Sequence, residues 1–191
     1  MKFFIPVILL SLISMSNFAQ SNTDLPYRSI PDYPESYTAG TVLSRMIDGL
    51  GFRYYWATDS LRQEDLDYKP SDEARTTFET IQHIYGLSRV VVNATRQQAN
   101  GRDTVNYTFD EYRRLTLNNL KEASETLLQS SPEDIEGYII DFGARKYPYW
   151  NNINGPIADA IWHVGQIVSF RRSSGNPFNS KASLFNGKLR E

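Results

Sequence analysis

The chain has 191 residues, 20 basic against 22 acidic, a formal net charge of −2, two histidines and no cysteine. No basic stripe is present, which excludes the phosphate contacts that a nucleic-acid partner requires. The lack of cysteine excludes both a disulfide framework and a lipid-modified cysteine.

Residues 1–19 read as a secretory signal peptide: Met1 and Lys2 give a positive start, Phe3 to Ile13 an apolar run, and Ser14 to Ala19 a small, polar end. The apolar run is about half of the ~20 residues needed to span a bilayer, so no stable membrane anchor is expected. The expected location is periplasmic or secreted. The remaining ~170 residues suit one domain with its own core.

Residues 20–35 carry Pro26, Pro31 and Pro34 and are expected to form an extended arm, followed by a bundle over 36–176. The first helix, 36 to about 60, places Leu43, Ile47, Leu50, Tyr54, Ala57 and Leu61 at steps of three and four. Gly49 and Gly51 within it allow a close neighbour or a kink. A polar connection over 63–70 leads to a second helix, 76 to 95, opened by a Thr76/Glu79 capping box and carrying Ile81, Ile84, Leu87, Val90 and Val91. After a turn-rich loop at 97–107, a third amphipathic helix runs from 108 to about 130.

The segment 131–154 has no helical period. It holds a short strand near Ile139 and Ile140, then Tyr147, Tyr149 and Trp150. A loop this long and aromatic is often functional, and these three side chains are the expected substrate contacts. The fourth helix starts at Pro156, capped by Asn154 or Gly155, and ends near Ser174. Residues 177–191 form an irregular tail. Four helices without a credible sheet predict an all-α four-helix bundle, with an N-terminal arm and a long loop before the last helix.

Asp159, His163 and Gln166 fall on one face of the fourth helix, at spacings of four and three. The rest of that helix is apolar nearly all round and is expected to be buried. A buried carboxylate and imidazole need partners, and a divalent metal shared with His83, on the inner edge of the second helix, satisfies both. Two histidines and one carboxylate leave a fourth position open, and the set suits zinc, nickel or iron. Taken singly, each residue has a plainer reading. His83 is a core histidine, Asp159 favours its helix dipole, Glu79 caps its helix, Gln166 is a core amide, and Asp159 and His163 pair without metal. The joint pattern favours the metal, with Gln166 or Glu79 orienting the reacting group.

The segments TTFETIQHI and NGPIADAIWHVGQIVSFRRSSGNP resemble the DinB-like superfamily of metal-binding four-helix bundles. The resemblance implies that His83 and His163 are ligands, that Asp159 replaces the first histidine of the family's HxxxH pair, and that HVGQ at 163–166 matches its HxGQ continuation. It further implies one divalent metal ion, a metal-dependent hydrolase or S-transferase acting on a small molecule, and a homodimer. The alternative is a non-catalytic metal- or ligand-binding bundle of the cell envelope.

Overall fold

The computed structural model describes residues 25–191; the expected signal peptide lies outside the described residues. Four long helices carry the fold: α1 (Ala39–Ala57), α3 (Thr77–Thr95), α4 (Phe109–Leu128) and α7 (Ala158–Ser173). Short elements join them: α2 (Gln63–Asp67), α5 (Pro132–Gly137), strands β1 (Ile139–Asp141) and β2 (Lys146–Pro148), and α6 (Trp150–Asn152). A final hairpin pairs β3 (Ala182–Ser183) with β4 (Lys188–Leu189). The expected all-α four-helix bundle is present, and no helix among the described residues is long and apolar enough to cross a membrane.

The helix starts follow local chemistry. Thr38, Thr76 and Thr108 each cap a long helix through a reciprocal box, satisfying amides that the helix itself leaves free. α1 and α3 each pack against both α4 and α7. Ser44 and Asp48 of α1 meet Ser124 of α4, whereas Thr58 meets Arg113, so these two helices are antiparallel. Gln82 meets Tyr112 and Arg96 meets Glu122, so α3 and α4 run parallel. Parallel neighbours need a crossover, which is why the loop after α3 spans the bundle's length.

The connections are more ordered than the sequence suggests. The polar connection contains α2, and Asp65 in it is fully buried, accepting from Arg62, Ser174 and Asn176. The expected strand pairs antiparallel with β2, Ile140 opposite Tyr147. The tail is a hairpin that clasps the arm: the Ile30 amide donates to the Gly187 carbonyl at 2.8 Å, and Lys188 pairs with Asp32. Gly51 of α1 faces the Tyr27 ring so closely that a Cβ there would overlap it.

Two expectations about the last helix are corrected. α7 has no capping side chain; it is entered through a π-helical turn, Ile153–Ile157, in which Gly155 is non-helical and Pro156 lies inside the turn. This turn packs on α3, and that packing replaces a cap. Nor is α7 buried all round. Only Ala160, Val164, Ile167 and Arg171 are buried, while Ile161 and Trp162 are exposed, because the helix sits at a bundle corner with one stripe inward.

Candidate metal centre

The buried stripe of α7 recurs at 160, 164, 167 and 171, and Asp159, His163 and Gln166 each precede one of its members. They therefore lie on the border of the stripe, along the seam with α3. The α3 stripe includes Thr80, Ile81, Ile84 and Ser88, with His83 on its border, so the two helices bring their polar edges together. The cluster is half-buried: the side chains of His83, Asp159 and His163 are 32%, 44% and 15% exposed. The sequence pattern places the three residues in one site, and solvent reaches it.

One ligand atom from each of the three residues lies within 4.8 Å of the others. His83 Nε2 is 3.2 Å from Asp159 Oδ2, and His163 Nε2 is 3.4 Å from Asp159 Oδ1. The two imidazole rings stand perpendicular, centroids 4.6 Å apart. Ligands on a tetrahedral ion with bonds of ~2.0–2.1 Å are roughly 3.3–3.4 Å apart; the two nitrogen–oxygen separations are of that size but end on different oxygens of the Asp159 carboxylate, so the two oxygens between them face both imidazoles.

Gln166 sharpens this. Nδ1–H of His163 donates to Gln166 Oε1 at 2.8 Å. A neutral ring with its proton on Nδ1 presents an Nε2 lone pair to a carboxylate oxygen, and two acceptors so placed repel unless a cation or proton lies between them. The donor set fits a divalent metal held by nitrogen and oxygen. Burial holds the His83 imidazolium pKa below the ordinary range, with His163 and Arg75 acting the same way and the Asp159 hydrogen bond opposing. His83 is thus readily neutral, the form that ligates.

The other expected site residues lie elsewhere. Glu79 is exposed and engaged in the α3 cap, its Oε2 accepting from the Thr76 amide at 2.7 Å and from the Thr76 hydroxyl. Those bonds hold its carboxyl below the usual range. Tyr147 is partly exposed and packs edge-on to Phe142. Tyr149 and Trp150 line a groove against the start of α1, none of whose lining residues is His83, Asp159 or His163. Two features are unexpected from the sequence: Trp162, next to His163 in the chain, is exposed, and Asn152 is wholly buried with both side-chain amide atoms unpartnered among the described residues. Neither carries a sequence signal, since burial at a helix corner and in a loop follows from packing alone.

No protein-family model matches the chain, and no curated protein does. Among solved structures, the chain is similar to a DinB-like protein of Bacillus subtilis, YjoA, with 16% identity and a TM-score of 0.52. The match covers 69% of this chain and 92% of that one. The likeness is one of fold, and the bundle described above is a DinB-like fold.

Proposed function

With the DinB-like fold as premise, we propose that this is an exported metal-binding protein in which His83, Asp159 and His163 hold one divalent ion and act on a small molecule by hydrolysis or group transfer. The observation that carries the reading is the convergence of two Nε2 atoms on one carboxylate at 3.2 and 3.4 Å in a solvent-reached seam. An ion held there supplies Lewis acidity toward a carbonyl or similar acceptor. The chain's own residues do the rest. Gln166 fixes the proton of His163 on Nδ1 and aims Nε2, and Asp159 supplies the negative charge that offsets a cation.

Glu79 is committed to its cap and Gln166 to His163, which speaks for a position open to substrate and against closure by a fourth side chain. Export rests on residues 1–19 acting as a signal peptide. The deciding experiment is metal analysis of protein purified without a histidine tag. About one equivalent in the natural chain and none in His163→Ala, with the helical circular dichroism spectrum retained, supports the site. Equal metal content in both refutes it. A bound, exchangeable water seen by X-ray absorption separates the enzyme reading from a closed, non-catalytic binder.

A further inference from the structure

The tail hairpin holds its most apolar residues out in solvent. Its turn, 184–187, carries Leu184, which is exposed, and Phe185, 97% exposed; Leu189 on β4 is exposed as well. The turn is well fixed. The Gly187 amide donates to the Ser183 carbonyl at 2.8 Å, and the Asn186 amide donates to the Ser183 hydroxyl. Gly187, at φ +66°, sits so tightly on Ile30 that a Cβ there would overlap it, and its carbonyl accepts from the Ile30 amide. A phenyl ring held out on so fixed a turn adds nothing to the stability of the fold that holds it.

Cations stand behind this tip. The hairpin carries Lys181, Lys188 and Arg190 against Glu191 alone, in a chain whose net charge is −2. Lys188 pairs with Asp32, whereas Lys181 and Arg190 have no ion-pair partner among the described residues. The Arg190 amide donates to the Lys181 carbonyl, so these two residues face each other at the base of the hairpin. At ~3.3 Å per residue they lie roughly 10 Å behind the turn. Beside them is Tyr33 of the arm, 80% exposed, with the Arg45 guanidinium 4.8 Å over its ring centre. Tyr33 and Arg45 share a cleft with Lys188, Leu189 and Arg190.

An apolar tip with cations a short way behind it matches the layering of a lipid surface. Interfacial segments bury apolar side chains ~5–10 Å into the boundary between headgroups and acyl chains, and anionic headgroups attract Lys and Arg above it. Aromatic rings favour the same boundary. A self-complementary contact with a second copy would instead set these cations against themselves. We propose that the tail hairpin, with Tyr33 and Arg45 beside it, is a docking surface for an anionic lipid membrane. Leu184 and Phe185 enter the interface while Lys181, Lys188 and Arg190 meet the headgroup phosphates. The contact is shallow and reversible, since two apolar side chains bury far less than a spanning helix does.

The test is co-sedimentation of the full chain with vesicles of phosphatidylcholine, alone or mixed with about one-third phosphatidylglycerol. Binding is expected on the mixed vesicles and should fall steeply as salt rises. Phe185→Ser, and the pair Lys181→Ser with Arg190→Ser, alter exposed side chains only, so the helical circular dichroism spectrum persists. Each should lower the partition coefficient about tenfold, and the charge pair should also flatten the salt dependence. All variants share residues 1–19, so a difference between them belongs to the hairpin. Equal partition of Phe185→Ser and the natural chain, or equal partition onto the two kinds of vesicle, overturns the proposal. So does a concentration-dependent dimer that binds no lipid and is broken by Phe185→Ser, which assigns the face to a second copy instead. No residue of the metal centre lies on the hairpin, so chelator should change none of these readouts and failure of that centre leaves the test intact.

Discussion

Gln166 accepts a hydrogen bond from Nδ1 of His163 at 2.8 Å and, by holding that proton, turns the opposite nitrogen of the ring toward Asp159. An amide one turn along the helix thus sets which tautomer faces the seam. Gln166→Leu is expected to weaken metal affinity roughly 10–100-fold while leaving the helical content unchanged. Gln166→Glu keeps the acceptor and should retain binding. Competition with a chromophoric chelator measures both, and parity between Gln166→Leu and the natural chain would show that the ring is oriented by something else.

Asp159→His rebuilds an all-imidazole set on the same helix face. Replacing a hard carboxylate by imidazole should shift preference away from manganese and toward nickel and zinc. The measurement is the ratio of dissociation constants for manganese and zinc in the two chains. An unchanged ratio would mean that Asp159 does not ligate.

The imidazolium pKa of His83 lies below its ordinary value because burial disfavours the charged ring. A depressed pKa means the unfolded chain takes up the proton first, so the associated stability is present above about pH 6.5 and is lost as pH falls through the folded value. The thermal transition of metal-stripped protein is expected to drop on the acid side of about pH 6.5, and less steeply in His83→Gln. Metal retention should fall in the same window, since protons compete for the same nitrogen.

Asp65 is fully buried and accepts from Arg62, Ser174 and Asn176, and the Arg62 contact holds its carboxyl well below the ordinary range. Asp65→Asn leaves these donors partly unanswered, at an expected cost of about 2 kcal/mol in urea unfolding, kept modest because Arg62 is half exposed and screened. With a lowered folded pKa, the contribution exists above about pH 4 and disappears as pH falls further. The difference between Asp65→Asn and the natural chain should therefore shrink in acid.

Gly51 is the seat of the Tyr27 ring. Gly51→Ala gains about 1 kcal/mol of helix propensity but overpacks by about 1–3 kcal/mol, so a net loss is expected, together with faster proteolysis of the arm. A variant as stable and as resistant as the natural chain would show that the ring relocates freely.

The parts of this structure legible in the sequence were those written in local chemistry. Thr76 with Glu79 announces α3, and the four-residue spacing of Asp159 and His163 puts them on one face whatever lies opposite. α5 is not expected from the sequence, which reads as loop over 131–154: Ser131 caps it and Asp134 closes the box, but the segment has too few apolar positions to show a period. The entry to α7 was not legible: Asn154, Gly155 and Pro156 fit a cap motif, and only contact with α3 selects the π-helical turn instead. Nor was the exposure of Trp162, since an apolar run states what a helix prefers to bury and not how many neighbours it receives. Tyr149 and Trp150, expected as substrate contacts, line a groove apart from His83, Asp159 and His163, because chain proximity to His163 does not say which wall of the bundle they face.

The clasp between the Ile30 amide and the Gly187 carbonyl puts positions near the two extremities of the described chain within one hydrogen bond of each other. Such a molecule can be sewn into a loop through a short tether beyond Leu189 and cut open afresh at the exposed Gly101 without severing any of the four long rods. Seen this way, the order in which the helices are synthesised is separable from the shape they make, and a rearranged gene could carry the same seam between His83 and His163 with its ends in the loop after α3.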